Sequence, residues 1–229
     1  MSEGLPLVRC SGAARTYGKG PTATVALQAT YCEVFAGQRI GLVGPSGSGK
    51  STLLHLMAGL DDPTVGDVSW PAIGTRDELR PGRVAVIFQG PSLLPPLTVL
   101  ENTSLPLVIG GMTDKDAREV AHTALRTLDL DVLADKLPEE ISGGQAQRVA
   151  VARALAGEPT LILADEPTGQ LDRASGAAVV EVLLGASEHA GSALLISTHD
   201  MTVAERLPER WEMHSGEIQT DTREAQWSR

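Results

Sequence analysis

The sequence predicts an α/β fold with a mainly parallel central sheet and an inserted helical subdomain. Short apolar segments of strand length alternate with segments whose apolar residues repeat at helical spacing, which is typical of parallel sheets. A glycine-rich loop follows one strand-like segment and precedes a helix-like one. Residues from about 90 to 159 lack this alternation and, after a proline-rich loop, carry helical patterns, which indicates a helical lobe inserted between two strands of the sheet.

The predicted elements follow one another in chain order. Strands are predicted from apolar and β-branched content at 7–10, 30–35, 39–43, 84–88, 161–164 and 193–197, with a terminal hairpin at 211–214 and 217–220. Helices are predicted from apolar residues at helical spacing directly after the glycine-rich loop, from 113 to about 128, and at 144–156, 173–187 and 201–207. The first helix would bury Leu53, Leu54, Met57 and Ala58 and end at Gly59.

Composition argues against some classes of function. The 229 residues carry a formal charge of −10 and no run of Lys or Arg, so we expect no nucleic-acid partner. Cys10 and Cys32 match no metal or redox spacing and are expected to be reduced thiols. The N-terminal stretch lacks a signal-peptide pattern, and no apolar segment approaches the roughly 18 residues that span a bilayer. Any action at a membrane would therefore need a partner that crosses it.

The strongest chemical signal is the segment GPSGSGKS at 44–51, which fits the phosphate-loop pattern GxxxxGK[ST]. Glycines let backbone N–H groups turn towards a β-phosphate, and the helix N-terminus that follows adds positive potential. Lys50 would reach the β- and γ-phosphates, while the Ser51 hydroxyl would bind Mg²⁺. The nucleotide-binding residues predicted here are Gly44, Pro45, Ser46, Gly47, Ser48, Gly49, Lys50, Ser51 and Thr52.

Two acidic residues end a later apolar strand. Asp165 and Glu166 follow the segment 161–164, at the carboxyl edge where α/β sheets bind ligands. Asp165 would hold Mg²⁺ through water, and Glu166 could act as general base towards an attacking water. Two acids after a strand are usually a solvated loop, and the phosphate loop upstream is what favours a catalytic role.

A serine–glycine turn at 141–145, ISGGQ, precedes a further helical pattern. Ser142 would cap that helix, and a capped helix N-terminus can bind an anion. The turn and its helix resemble the signature of ABC-type ATPases. In that family the signature of one subunit closes over the ATP held by the other subunit's phosphate loop. The resemblance therefore implies that Ser142, Gly143, Gly144 and Gln145 bind a γ-phosphate in trans.

Further residues match ABC elements in the expected order. The resemblance implies that Gln89 contacts Mg²⁺ and the attacking water, that Asp172 belongs to the D-loop at the nucleotide, and that His199 contacts the γ-phosphate. Tyr17, in the segment RTYG, matches the aromatic residue that stacks on adenine, a contact worth on the order of 1–3 kcal/mol. The predicted catalytic residues are Glu166, His199, Lys50 and Gln89, and the predicted metal ligands are Ser51, Gln89 and Asp165.

The resemblance covers about residues 7–220 and implies a P-loop NTPase fold with an antiparallel β side subdomain beside the parallel sheet. It divides a single domain, 1–229, into a core with this side subdomain at 5–89 and 160–222 and a helical signature subdomain at 90–159. It also implies an ATP-hydrolysing transporter subunit that binds ATP and Mg²⁺ and pairs head to tail with a second copy. Such a subunit docks on integral membrane subunits as a peripheral protein of the cytoplasmic face.

The loop after Gln89, together with ADEPTG at 164–169, looks like the subfamily of macrolide-export, lipoprotein-release and cell-division ATPases. The Leu- and Pro-rich stretch 93–107 is then expected to be an exposed patch near the groove that receives the membrane subunit. Ile141 and Gln170 replace residues that are commoner in the family, and the short stretch 68–83 predicts a trimmed side subdomain. These departures remove no group that the chemistry needs.

Several functions remain open at this point. A transporter motor for export or force transmission is favoured, and a cell-division regulator with a membrane partner would use the same chemistry. A soluble ABC ATPase of the DNA-repair or ribosome type usually carries a long insertion, tandem cassettes or a basic surface, none of which the sequence contains. A small-molecule kinase would leave Gln89 and the turn at 141–145 unexplained. The cargo is not encoded here, because specificity in this architecture lies in the membrane subunits.

Overall fold

Residues 4–220, which a computed structural model describes, contain nine β-strands and six α-helices. The strands are β1 (Val8–Tyr17), β2 (Thr24–Val34), β3 (Arg39–Val43), β4 (Val65–Ser69), β5 (Val84–Ile87), β6 (Leu161–Asp165), β7 (Ala193–Thr198), β8 (Glu209–His214) and β9 (Glu217–Thr220). The helices are α1 (Lys50–Met57), α2 (Val99–Ile109), α3 (Asp114–Arg126), α4 (Gly143–Leu155), α5 (Arg173–Ala190) and α6 (Met201–Ala204). The ends of the predicted ranges 1–229 and 160–222 lie outside the described residues.

The central sheet has six strands in the order β5-β6-β7-β3-β8-β9 and confirms the predicted mainly parallel architecture. Its first five strands pair in parallel, and β9 pairs with β8 as the predicted hairpin. All residues of β6 and β7 are buried, as expected for strands covered on both faces. Val43 pairs with Thr198, and Asp165 pairs with Ser197. Three strands therefore end at one edge of the sheet, and the loops after them meet there.

A separate three-stranded antiparallel sheet has the order β2-β1-β4 and confirms the side subdomain that the resemblance implies. β1 continues well past its predicted end, because β-bulges accommodate the irregular segment after Ser11. β4 was not predicted, since Gly66 and Asp67 are poor strand formers and most of the strand is exposed. Cys10 lies opposite Cys32 on the neighbouring strand, and both thiols are free.

Between β5 and β6 the described chain is helical, which confirms the predicted insertion. The expectation of an exposed patch along 93–107 is wrong in part, because α2 occupies its second half and buries Val99, Leu100 and Leu107. Pro106 inside the helix obscures the helical pattern. Thr98 and Glu101 form a reciprocal capping box at the start of α2, and this signal was present in the sequence.

The remaining helices lie close to their predicted positions, except that α6 ends at Ala204 rather than 207. The predicted apolar face of α1 is confirmed, since its four apolar residues are fully buried and Gly59 follows with a positive φ. α1 packs in one core cluster with the antiparallel sheet, and α3, α4 and α5 pack in a second cluster with β6 and β7. None of the described helices combines the length and the apolar character needed to cross a bilayer.

We predict that Leu130→Ala destabilises the protein by about 2–5 kcal/mol, because Leu130 is fully buried in the second cluster and its truncation leaves a cavity. Val132, two residues away, is 82% exposed, so Val132→Ala is the matched control and should change stability by less than about 0.5 kcal/mol. Urea unfolding followed by circular dichroism measures both variants. Equal losses of unfolding free energy in the two variants would contradict the burial of Leu130 in the second cluster.

Candidate active site

The loop at 44–51 connects β3 to α1 and is held tightly at two glycines. A side chain at Gly44 would collide with the carbonyl oxygen of Met213 on β8. Gly49 has a φ of 105°, and a Cβ there would collide with the carbonyl oxygen of Ala26 on β2. Only glycine meets both conditions, so the loop is wedged between the two sheets with its backbone amides at the start of α1.

Lys50 is buried at the first position of α1 and directs its ammonium group into this loop. Its Nζ donates hydrogen bonds to the carbonyl oxygens of Gly44, at 2.8 Å, and Pro45, at 3.0 Å. The same Nζ lies 3.7 Å from the carboxylate of Glu166. A fixed cation, the helix N-terminus and open space beside Gly47 together make the loop suited to a phosphate group.

Glu166 directly follows β6 in the left-handed region, at φ 45°. A residue with a side chain pays on the order of 1–2 kcal/mol for this conformation, so the surrounding structure imposes it. One carboxylate oxygen faces Lys50, and the other lies 3.1 Å from Nδ1 of His199, which follows β7. The carboxylate thus lies between the Lys50 side chain and the His199 imidazole, groups that can orient it as a general base.

Ser197 on β7 orients both acids and was missed by the sequence analysis. Its hydroxyl donates to Oδ1 of Asp165, and the backbone N–H of Glu166 donates to both oxygens of Ser197, at 3.0 Å and 3.1 Å. Ser197 is fully buried. In the sequence it appears only as the end of a strand two residues before His199, so its role depends on the pairing of β6 with β7.

A cleft of about 620 Å³ brings together nine of the predicted residues, among them all four predicted catalytic residues. It is lined by Ser46, Gly47, Gly49, Lys50, Ser51, Thr52, Gln89, Glu166 and His199, and by Ala26, which was not predicted. Tyr17, Asp165, Asp172 and the turn at 142–145 lie outside this lining, and so do Gly44, Pro45 and the buried Ser48. A larger groove of about 790 Å³ between α3, α4 and α5 is mostly aliphatic and contains none of the predicted residues.

Tyr17 ends β1 and is fixed by two residues to which the sequence analysis gave no role. Its hydroxyl donates to Asp61 at 2.9 Å, and the guanidinium carbon of Arg15 lies 4.7 Å from the ring centroid. Arg15 also forms an ion pair with Asp61 at 2.7 Å. Partial burial alone would raise the pKa of Asp61, but the hydrogen bonds from Tyr17 and the amide of Asp62, together with the charge of Arg15, lower it. The ring is therefore held in place while 41% of the residue stays exposed.

The turn at 142–145 is a fully formed helix cap. Ser142 Oγ accepts a hydrogen bond from the amide of Gln145, and the Gln145 side chain accepts one from the amide of Ser142, at 3.2 Å and 2.8 Å. Ser142 and Gly143 are exposed, and a Cβ at Gly144 would contact Leu171. The turn thus presents a helix N-terminus to its surroundings, beside the loop that leads to α5.

Asp172 caps the next helix. Its carboxylate accepts hydrogen bonds from the hydroxyl of Ser175 and from the amides of Ser175 and Ala174, and these bonds lower the pKa of Asp172. The structure therefore gives Asp172 a helix-capping role at the start of α5. Its predicted contact with nucleotide remains a prediction.

The predicted metal ligands fit a magnesium ion by chemistry. Ser51 carries a hydroxyl and Gln89 an amide, and both residues line the cleft. Asp165 ends the strand that leads into Glu166. Mg²⁺ prefers oxygen ligands and typically takes one or two from protein and the rest from phosphates and water. The described residues contain no cluster of three or more His, Cys, Asp or Glu side chains that could hold a metal ion.

The fold and the cleft define a P-loop NTPase. Residues 27–169 match the family described as ABC transporter, which covers more than half of the chain. The chain belongs to the ABC transporter family.

Known proteins of this family are similar to the chain over most of its length. The lipoprotein-releasing system ATP-binding protein LolD of Legionella pneumophila, strains Lens and Paris, is 40% identical over 211 residues, covering 89% of this chain and 93% of LolD. The bacterial ABC transporter cassette MJ0796 has been solved as a dimer and as a dimeric post-hydrolysis state bound to ADP and Pi. Both are 36% identical, with TM-scores of 0.86 and 0.84, and cover 93% of this chain and 96% of the solved chain.

A more distant structure gives the same fold. CbiO1 of Clostridium perfringens, part of the ABC transporter complex cbiONQ, is 26% identical with a TM-score of 0.79. It covers 93% of this chain and 87% of the solved chain. The similarity therefore extends across both sheets and the helical insertion.

We predict that Ser197→Ala costs about 1–3 kcal/mol of stability, because it leaves the buried carboxylate of Asp165 without this hydroxyl. Ser187→Ala is the matched control, since Ser187 is equally buried but donates to a neutral acceptor, the carbonyl of Ser192. Its expected loss is smaller, about 1 kcal/mol. Urea unfolding at neutral pH measures both, and a larger loss for Ser187→Ala would contradict this role of Ser197.

Proposed function

We propose that this chain is the ATP-hydrolysing subunit of a membrane transporter and that each of its ATP sites is completed by a second copy. The chain is an ABC-type ATPase, and its relatives include a transporter subunit and cassettes solved as dimers. One observation carries the proposal of a shared site. The capped turn at 142–145 is suited to an anion, yet it lies outside the cleft that contains Lys50 and Glu166.

In this proposal the triphosphate of ATP lies along the loop at 44–51. Lys50 exchanges the carbonyl oxygens of Gly44 and Pro45 for phosphate oxygens, and the amides at the start of α1 contribute further donors. The adenine stacks on the ring of Tyr17, which Arg15 and Asp61 hold in place. Bound Mg²⁺, held by Ser51, Gln89 and Asp165, would neutralise charge on the phosphates.

Glu166 is the proposed general base. Its carboxylate lines the cleft in which the terminal phosphate and the attacking water would lie, so it is placed to take a proton from that water. The His199 imidazole, 3.1 Å away, would orient the carboxylate and the terminal phosphate. Gln89 lines the same cleft and would orient the water. Positioning and electrostatic stabilisation account for most of the rate gain in phosphoryl transfer, so small displacements of these groups matter.

The turn at 142–145 of the second copy would cover the γ-phosphate. The amides of Gly143 and Gly144, at the N-terminus of α4, favour negative charge. The matching turn of this chain would serve the partner's nucleotide. Two ATP molecules are then sandwiched between two chains. Hydrolysis removes the bridging charge, and the two copies separate.

Exposed apolar residues beside α2 support docking on a membrane partner. Leu94, Val108, Ile109 and Met112 are exposed around α2. Asn102 is buried and holds the loop before α2 through hydrogen bonds to the backbone of Leu94, Leu97 and Thr98. We place the chain at the cytoplasmic face of the membrane as a peripheral subunit. The similarity to LolD favours a role in lipoprotein release or related export over a signalling role in cell division.

We predict that Glu166→Gln lowers the turnover of ATP by about 10²–10⁴-fold, because an amide cannot accept the proton of the attacking water. Glu188→Gln is the control: this exposed carboxylate lies near the end of α5, remote from the cleft, and its loss should leave turnover nearly unchanged. Phosphate release at saturating Mg-ATP measures both. Equal turnover by Glu166→Gln and the unchanged protein would contradict the assignment of the base.

We also predict that the Glu166→Gln variant is a dimer in Mg-ATP and a monomer without it, as sedimentation velocity would measure. Adding Ser142→Asp should prevent this dimer, because a carboxylate would meet the partner's γ-phosphate while still capping α4. The double variant should bind ATP as a monomer as tightly as Glu166→Gln alone. A dimer that persists with Ser142→Asp would show that the turn does not face phosphate in trans.

A further inference from the structure

The segment from Phe88 to Ser92, which carries Gln89, is held at both ends by side chains of α4. At its start, Nε2 of Gln147 donates a hydrogen bond to the carbonyl oxygen of Phe88 at 3.1 Å. At its end, the guanidinium of Arg153 donates to the carbonyl oxygens of Pro91 and Ser92 and to the Ser92 hydroxyl, at 3.3, 3.0 and 2.9 Å. Gln89 therefore lies between two polar contacts with a single helix.

The hydrogen bond from Gln147 fixes the orientation of its side-chain amide. The residue is 1% exposed, and among the described residues its only side-chain hydrogen bond goes to Phe88, while its Oε1 is buried without a partner. Only the NH₂ end of the amide can face a carbonyl oxygen, so the bond requires this orientation. A leucine of similar size would fill the space without burying an unpaired oxygen. Packing alone therefore does not account for an amide at this position.

Arg153 contacts a segment of unusual backbone conformation. Burial lowers the pKa of its guanidinium, and its donors meet three neutral oxygens of one short segment. Ser92 adopts a φ of 46°, which a residue with a side chain rarely does. The forked donor group of arginine suits several acceptors at once, which the single ammonium of lysine cannot match.

The N-terminus of α4 and the rest of the helix thus serve different sites. Its N-terminus carries the exposed cap at Ser142, and its body holds the segment of Gln89, which lines the cleft of the same chain. We propose that Gln147 and Arg153 are positioning residues that tie Gln89 to α4, so that engagement of the Ser142 turn by one nucleotide sets the position of Gln89 at the other. This inference rests on the proposed shared sites. It makes α4 the physical link between the two ATP molecules of a dimer.

A double-mutant cycle between Gln147→Leu and Gln89→Ala tests this link through the kcat of ATP hydrolysis. If Gln147 acts through Gln89, Gln147→Leu lowers kcat on the order of ten- to a hundredfold when Gln89 is present, because a small displacement of a catalytic group is costly. In the Gln89→Ala background, where nothing remains to position, it should change kcat by less than about twofold. The monomer's affinity for ATP should be the same with and without Gln147→Leu.

Arg148→Ala is the control, because Arg148 lies on the same helix but donates to the carbonyl of Leu128 in the helical insertion. It should change kcat by the same factor with and without Gln89. Arg153→Lys is a second test variant, which keeps the charge but loses the fork, and it should behave like Gln147→Leu. Thermal unfolding identifies the variants that fold.

The inference would be overturned if Gln147→Leu and Arg153→Lys each lower kcat by the same factor with Gln89 present and with Gln89→Ala. The proposed ATPase function would not be affected by that result. The inference would also be overturned if the wild-type chain forms a dimer in Mg-ATP and Gln147→Leu has the same kcat as the wild-type chain. Absence of ATP turnover in the wild-type chain would instead contradict the proposed function, and this inference with it.

Discussion

The parallel pairing of β3 with β7 and of β7 with β6 is the constraint on which the site depends. It brings the ends of three strands to one edge, so that residues more than a hundred positions apart share a cleft. The loop after β3 is then confined by the carbonyls of Ala26 and Met213, which leave room only for glycine at two positions. Lys50, Glu166 and His199 acquire their mutual distances from this framework rather than from local sequence.

Electrostatics in the cleft differ from those of the molecule as a whole. The chain has a net charge of −10, yet its phosphate loop offers a buried lysine and a helix N-terminus. Short-range groups determine what binds there, because exposed charges farther away than about 8 Å are largely screened at physiological salt. The acidic surface is thus compatible with an anionic substrate. Among the described residues that line the cleft, Glu166 contributes the only carboxylate, and it lies beside Lys50.

The contiguous parts of the site were predictable from sequence, and the parts that depend on distant pairing were not. The loop at 44–51, the acids after β6 and the cap at Ser142 each carry their signal within a few residues. Ser197 acts on a residue of the neighbouring strand, and Asp61 acts from the loop after α1 on the end of β1, so nothing local marks either residue. β4 was missed because Gly66 and Asp67 are poor strand formers and most of the strand is exposed. The start of α2 was missed although its capping box could be read directly.

The central claim is that one copy's phosphate loop faces the other copy's serine–glycine turn, and a crosslink between two differently tagged copies tests it most directly. One copy carries Ser142→Cys and the other Ser46→Cys, both with Glu166→Gln and with Cys10 and Cys32 replaced by serine, and a short bismaleimide joins thiols that lie close together. The account predicts a crosslink between the two tags that requires Mg-ATP. A crosslink between two Ser142→Cys copies instead, or one independent of nucleotide, would contradict it.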